Sequence, residues 1–156
     1  MTDSATSLLE KGIERYKAGE KPEDLIPVFQ DICDRASKNA AVWSSLAWLY
    51  LLTDKPKLAL KAAQKSVKLD SRAPQARINL AVAMLETGTA GVRQHIEAAQ
   101  QMMSLDAQIR QDIKENIEDG LTRKPDWKSL ERVKNWLLTS STRVSIEQLW
   151  DSLKRN

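Results

Sequence analysis

Apolar residues recur at helical spacing in the middle of the chain and predict a helix–turn–helix unit over residues 40–71. The first helix has apolar positions three and four residues apart, at Trp43, Leu46, Ala47, Tyr50 and Leu51. Asp54 is expected to cap the second helix, with Pro56 at its first position. The second helix presents small and medium residues on one face, namely Leu58, Ala59, Ala62, Ala63, Ser66 and Leu69. Such a pair cannot bury its own apolar face, so neighbouring units are expected.

A period of 34 residues relates this unit to the segments before and after it. The aligned positions are Leu9, Gly12, Ile13 and Tyr16, then Trp43, Leu46, Ala47 and Tyr50, then Arg77, Leu80, Ala81 and Met84. The turns repeat too, since residues 20–22 lie over residues 54–56, and the third turn is two residues longer. The period predicts three units over about residues 5–38, 39–72 and 73–106.

The central unit resembles the tetratricopeptide repeat (TPR), whose 34-residue pattern is W-x2-L-G-x2-Y…A-x3-F…P. It matches at Trp43, Leu46, Tyr50 and Ala59, has Ala47 for the glycine, and departs from the pattern at Ala63 and Ser71. The third unit has Arg77 for the tryptophan, and the first has Gly12 where leucine is expected. The resemblance covers roughly the first two-thirds of the chain, residues 1–106. It implies an all-α, α-α superhelix of about three TPR-like helix–turn–helix repeats with extra C-terminal helices.

Pro27 conflicts with a helix that starts at Pro22, because an internal proline lacks a backbone donor and clashes with the preceding turn. Two alternatives remain open from the sequence. Either the helix begins near Ile26, or residues 22–26 form a separate short turn.

Residues 107–156 follow a different pattern, which predicts capping and additional amphipathic helices. The first has a stripe at a strict spacing of four, formed by Ile109, Ile113, Ile117 and Leu121, and is expected to end before Pro125 and to cover the last repeat. The second, capped by Asp126, has a buried face of Trp127, Leu130, Val133, Trp136 and Leu137. After a break at residues 139–142, Ser145 and Gln148 form a capping box for a final helix with an apolar face of Ile146, Leu149, Trp150 and Leu153.

The apolar face of this final helix has three predicted destinations. It packs on the preceding helix, it fills the groove of the repeats, or it swaps between two copies to form a homodimer. Consecutive elements are usually neighbours, which favours the first destination.

Composition and charge limit the classes of protein that the chain can belong to. Its 156 residues suit one domain, and scarce glycine and proline, five of each, are typical of an all-helical protein. With 24 basic and 21 acidic residues the surface is mixed and does not indicate nucleic acid. Cys33 is the only cysteine, which favours a reducing cytoplasm. The sequence shows no secretory signal and no membrane span, so a soluble cytoplasmic protein is expected.

The residues that catalysis or metal binding needs are scarce. One cysteine and one histidine, His95, cannot form a metal-ligand cluster or a Cys/His nucleophile, and His95 is expected to have a surface or packing role. The GTAG stretch lacks the Gly-Lys-Ser/Thr of a phosphate loop. We therefore expect no enzyme activity and no cofactor.

Five cations form a stripe along the second helix of the central unit: Lys57, Lys61, Lys65, Lys68 and Arg72. The ordinary interpretation is a solvated outer face. The alternative is a basic ridge for an acidic protein or RNA. No aromatic residue is interleaved with the stripe, and nucleic acid is therefore disfavoured.

The TPR resemblance implies that the first helices of the hairpins line a concave groove that binds a partner. The implied partner-contact residues are Trp48, Leu51, Leu52, Ile78, Asn79, Val82 and Leu85, together with Ser44, and with Lys11, Glu14 and Lys17 from the first unit. Asn79 matches the middle asparagine of the TPR group that grips a C-terminal carboxylate. Ser44 and Trp48 replace the lysine and asparagine of that clamp, so a clamp is not supported. Trp48 either anchors an apolar groove or belongs to the core.

The sequence thus predicts a non-catalytic protein–protein interaction module that holds a peptide or helix of another protein. Adaptors, assembly factors and substrate chaperones are the classes that fit. Small bacterial secretion chaperones have a similar size and three such repeats, a likeness of fold only. The alternative function is an RNA-binding helical repeat that uses the cationic stripe.

Overall fold

A computed structural model of the protein describes residues 4–138 and 153–154. Residues 5–138 form eight helices joined by short turns, and the all-α prediction is confirmed. They are α1 (Ala5–Lys17), α2 (Pro22–Arg35), α3 (Ala40–Leu52), α4 (Pro56–Leu69), α5 (Pro74–Thr87), α6 (Val92–Leu105), α7 (Ala107–Arg123) and α8 (Lys128–Leu138).

The first six helices form three stacked hairpins, and α4 packs closely between α3 and α5. Ala59, Ala62 and Ala63 are buried there, because a helix lined with alanine lets both neighbours approach. Leu46 and Tyr50 are buried on α3, as their place in the best-matching repeat predicts. Leu58 is an exception to the predicted face, since 46% of it is exposed.

The turn between α3 and α4 differs from the prediction at Asp54. Lys55 occupies the N-cap position of α4, and no side chain caps this helix. Asp54 has a φ of 60°, in the left-handed region, and its carboxylate pairs with Lys124. Pro56 does occupy the start of the helix. The carboxylate therefore ties the turn to a distant segment instead of capping α4.

Helix α2 runs unbroken through Pro27, so neither predicted alternative is correct. The ring of Pro27 is exposed, and the helix loses one internal donor without burying an unpaired group. Helix α2 also explains why Gly12 replaces leucine. A Cβ on Gly12 would lie 2.7 Å from Cζ of Phe29, so only glycine lets α1 approach this closely.

The two C-terminal helices have the predicted apolar faces. Ile113 and Ile117 of α7 are buried, and Ile109 and Leu121 are half-buried at the edges of that face. In and just before α8 the buried residues are Trp127, Leu130, Val133, Trp136 and Leu137. Helix α7 packs on α6 and α5, but the segment around its C-terminal end reaches back to α1 and α3. Besides the last repeat, which it was expected to cover, α7 therefore also contacts the first two hairpins.

Little of the predicted final helix is covered by the structure. Leu153 packs against the core. The capping box at Ser145 and the homodimer alternative lie outside the described residues. None of the helices in residues 4–138 is long and apolar enough to cross a membrane.

Candidate functional site

A cavity of about 340 Å³ lies between the first helices of the three hairpins, α1, α3 and α5. Helix α7 borders one side of it through Asn116 and Asp119. Much of the remaining lining is apolar, contributed by Ile13, Phe29, Ala40, Ala41, Trp48, Leu49, Ala73 and Ala76. Its volume lies within the range of about 300–1,000 Å³ that is usual for binding pockets.

The polar groups in the cavity wall are bonded to one another. Asn79 is only 1% exposed, and its Nδ2 donates to both the backbone oxygen and Oγ of Ser44 at 3.0 Å. Its Oδ1 accepts from Nε2 of Gln75 at 2.8 Å, and Oε1 of Gln75 accepts from Asn116 at 3.0 Å. Asn79 therefore joins α5 to α3 and has no N–H left for the carboxylate of a ligand.

A second polar cluster joins α1, α3 and α7 beside the cavity. The Tyr16 hydroxyl donates to the Asp119 carboxylate and accepts from Nε1 of Trp48 at 2.9 Å. Arg123 donates to Asp119 at 3.0 Å and to the backbone oxygen of Tyr16 at 2.9 Å. Its guanidinium also lies 3.8 Å from the centre of the Tyr16 ring. The cluster holds α7 against the first and second hairpins.

Burial raises the pKa of the Tyr16 phenol well above its usual range, and the hydrogen bond to Asp119 raises it further. The hydrogen bond from Trp48 acts in the opposite direction but is the weaker effect. The phenol consequently stays protonated and continues to donate to Asp119.

Trp48 is the point where the C-terminal helices meet α3. A Cβ on Gly120 would lie 2.7 Å from Cζ2 of Trp48, so the backbone of α7 passes directly over the indole. The Trp127 ring lies 5.2 Å from the Trp48 ring at a tilt of 42°. Lys124 donates to the backbone oxygen of Leu51 at 3.2 Å. Trp48 is thus half-buried: it packs against the C-terminal helices and also lines the cavity.

The structure divides the predicted partner-contact residues into three groups. Leu51, Ile78 and Val82 are completely buried. Leu52 and Leu85 are half-buried against the core, and neither lines the cavity. Trp48 and Asn79 line it.

An open apolar groove through all seven predicted residues is therefore absent from residues 4–138. The reason is that α8 packs on α5 while the α7–α8 turn docks on α3, so that these helices take the place that the sequence assigns to a partner. Of the other predicted residues, Ser44 and Lys17 line the cavity, whereas Lys11 and Glu14 are exposed and do not.

Several residues of the site were not singled out from the sequence, namely Tyr16, Asn116, Asp119, Gly120 and Arg123. Two signals were available. Gly120 lies inside a strong helical pattern, which indicates a close backbone approach. Asp119 and Arg123 are four residues apart, a spacing that allows an ion pair on one helix face.

His95 and Cys33, which lie outside the cavity, have packing roles. His95 is buried with Nδ1 2.8 Å from Nη1 of Arg77. Burial raises the pKa of the Cys33 thiol to about 12, which makes it a poor nucleophile at neutral pH. Within the described part of the chain, no three His, Cys, Asp or Glu side chains are grouped to hold a metal ion.

The predicted cationic stripe, which we call the basic stripe (Lys57, Lys61, Lys65, Lys68 and Arg72), lies on α4 and just after it, and all five residues are exposed. Only Ser66 of α4 lines the cavity, so the stripe lies away from the cavity.

The profile of the coatomer epsilon subunit family matches residues 3–119. No curated protein sequence is significantly similar to the chain.

Solved structures of similar fold include two bacterial proteins and one human domain. SycD of Yersinia enterocolitica, a type III secretion chaperone in complex with a peptide of the translocator YopD, has a TM-score of 0.61 at 20% identity over 86% of this chain and 95% of that chain. PcrH of Pseudomonas aeruginosa has a TM-score of 0.60 at 19% identity, over 86% and 94%. The second TPR domain of human RPAP3, in complex with an HSP70 peptide, has a TM-score of 0.50 at 20% identity, over 83% and 94%. These likenesses confirm the predicted fold, a TPR-like helical repeat.

Proposed function

The chain belongs to the coatomer epsilon subunit family, and from this membership and the TPR-like fold we propose that it is a non-catalytic protein-binding module. Its ligand is a peptide or helix segment of another protein, held in the cavity between α1, α3 and α5. An adaptor, an assembly factor and a substrate chaperone are the roles that such binding serves.

The observation that carries this proposal is the cavity itself. It lies on the side of the stack formed by the first helices of the hairpins, and its volume is sufficient for one or two large side chains. SycD and the RPAP3 domain share the fold and were solved with bound peptides, which supports a peptide as the class of ligand.

The chemistry of the cavity wall favours an apolar side chain as the anchor. Asn79, Tyr16 and Asn116 are already hydrogen-bonded within the protein, so a polar ligand group gains little from them. Trp48, Phe29 and Ile13 offer apolar surface. We infer that affinity comes mainly from removing apolar surface from water, at roughly 25 cal/mol per Å².

The position of α7 limits the length of the ligand. Because α7 and α8 cover Leu51, Ile78 and Val82, a ligand cannot run along α3 and α5 as far as these residues. A short segment that enters beside the N-terminal ends of α3 and α5, where Ala41 and Ala73 line the cavity, fits better than a long extended peptide.

A variant that fills the cavity tests the proposal. Ala41 is exposed at the start of α3 and lines the cavity, so Ala41→Trp places an indole at the entrance without disturbing the core. The matched control is Ala107→Trp, at an exposed first position of α7 that does not line the cavity. Affinity capture with mass spectrometry is expected to recover the partner with the parent and the control but not with Ala41→Trp. Equal recovery with all three proteins would contradict the proposal.

RNA binding through the basic stripe stays an untested alternative. Phosphate contacts would make the affinity fall steeply with salt, which filter binding measures. Absence of binding at low salt ends that alternative.

A further inference from the structure

The second helices of the three hairpins differ in charge. Helix α2 carries four exposed acids and one cation, Arg35. We call the four acids, Glu23, Asp24, Asp31 and Asp34, the acidic face. Helix α4 carries only cations, the four lysines of the basic stripe. On α6, Arg93 and Glu97 form an ion pair at 2.9 Å. Neighbouring outer helices therefore carry a negative and a positive surface of similar length.

Most of these charges form no ion pair within residues 4–138. Asp31 pairs with Arg35 of its own helix at 3.0 Å. No ion pair joins α2 to α4 in that range, and none involves a member of the basic stripe. Both helices pack on α3, and their charged faces are turned to solvent.

Apolar surface accompanies both charged faces. Leu58 is 46% exposed and lies directly beside Lys57 and Lys61. Pro27 is exposed among the acids of α2. Surfaces of opposite charge facing each other are a usual arrangement between protein partners, where they determine specificity and register more than affinity.

We propose that the surface formed by α2 and α4 binds a second copy of this chain, with the acidic face of each copy on the basic stripe of the other. The two helices are the second helices of consecutive hairpins and run in the same direction. A twofold axis that runs parallel to the two helices and passes between them brings α2 of each copy onto α4 of the other, so the same contact forms twice. The surface is self-complementary, as a closed dimer requires.

Charge complementarity favours a second copy over nucleic acid. The four lysines of the basic stripe on α4 span residues 57–68, or about 17 Å at the helical rise. A polyanion wider than one helix would also lie against the neighbouring acidic face of α2 and be repelled there. The matching acidic face of a second copy has about the length of the stripe and the opposite sign.

Such a dimer is expected to be weak and sensitive to salt, since exposed ion pairs contribute little each and are screened over about 10 Å at 0.1 M salt. The surface is separate from the cavity, so dimer formation and peptide binding are independent properties.

Charge exchange between the two faces tests the proposal, with sedimentation velocity as the measurement. Lys57→Glu, Lys61→Glu and Lys65→Glu together reverse the net charge of the stripe to negative, and Glu23→Lys, Asp24→Lys and Asp34→Lys together reverse that of the acidic face to positive. Each variant alone repels itself in the proposed dimer. In a mixture both contacts again join opposite charges, so a heterodimer forms. The matched control carries Lys114→Glu, Lys128→Glu and Lys134→Glu, which change the net charge as much as the stripe variant does but at positions of α7 and α8.

We expect the parent and the control to dimerise at about 0.05 M salt and to dissociate at about 0.5 M, since screening increases steeply over that range. Each charge variant is expected to be monomeric alone and dimeric in the mixture, with an unchanged far-UV spectrum. A monomeric parent at low salt, dimers of a single charge variant, or no heterodimer in the mixture would each overturn the proposal.

Discussion

At the scale of residues, the contact between His95 and Arg77 explains why the third unit has arginine in place of tryptophan. Arg77 stands where the pattern has tryptophan, and its Nε donates to the backbone oxygen of Ser71 at 3.1 Å. Its Nη1 lies 2.8 Å from Nδ1 of His95. Since arginine only donates, Nδ1 accepts and the neutral ring carries its proton on Nε2. Arg77 thus connects the turn before α5 to α6 through these two contacts.

This pair predicts a dependence of stability on pH. Burial lowers the pKa of His95, and the charge of Arg77 lowers it further. Below about pH 6.5 the unfolded chain takes up a proton that the folded protein resists, so the free energy of unfolding should fall as the pH drops. Urea denaturation of the parent and of His95→Gln between pH 5 and pH 8 measures the free energy of unfolding. We expect it to fall less towards low pH in the variant than in the parent. Parallel curves would contradict this role of His95.

At the scale of elements, the packing of α3 between its neighbours determines the stability of the stack. Leu46 is 3% exposed where α3 meets the adjacent helices. Leu105, at the end of α6, is 82% exposed although its aligned position in the repeat is also leucine. Both leucines agree with the repeat pattern, but only Leu46 is buried. Comparing them therefore separates the effect of burial from the effect of matching the pattern.

Leu46→Ala should lower the free energy of unfolding by about 2–5 kcal/mol, because it removes buried methyl groups and leaves a cavity. Leu105→Ala is the control and should change it by about 0.5 kcal/mol or less. Chemical denaturation followed by far-UV circular dichroism gives both values. If Leu46→Ala unfolds together with the parent, the packing described for α3 is wrong.

Sequence reasoning predicted the helices and their buried faces well, because the spacing of apolar residues indicates which side of a helix is buried. It correctly placed the buried face of α7 at Ile113 and Ile117 and the start of α4 at Pro56. It did not predict that α7 reaches back over the first two hairpins. Apolar spacing shows which side of a helix is buried but not which part of the protein that side packs against. Gly120 and the Asp119–Arg123 pair determine that course through contacts far apart in the sequence.

At the scale of the whole molecule, the two sides of the hairpin stack have different properties. The inner side is shared between the C-terminal helices and the cavity. The apolar residues Leu51, Ile78 and Val82 were assigned from the sequence to a partner, and the chain's own helices cover them instead. An apolar position on a repeat helix has the same appearance in the sequence whether its contact comes from the same chain or from another, so the sequence alone could not distinguish the two.

The central claim is that a partner protein binds in the cavity between α1, α3 and α5, and site-specific photo-crosslinking tests it most directly. A photoreactive p-benzoylphenylalanine replaces Ala41, which lines the cavity, or Ala107, which does not. After irradiation in cells, the account predicts that position 41 gives a covalent adduct with a partner protein, mapped by mass spectrometry to one short segment. Position 107 should give no such adduct. A partner that crosslinks at position 107 and not at position 41 would contradict the account.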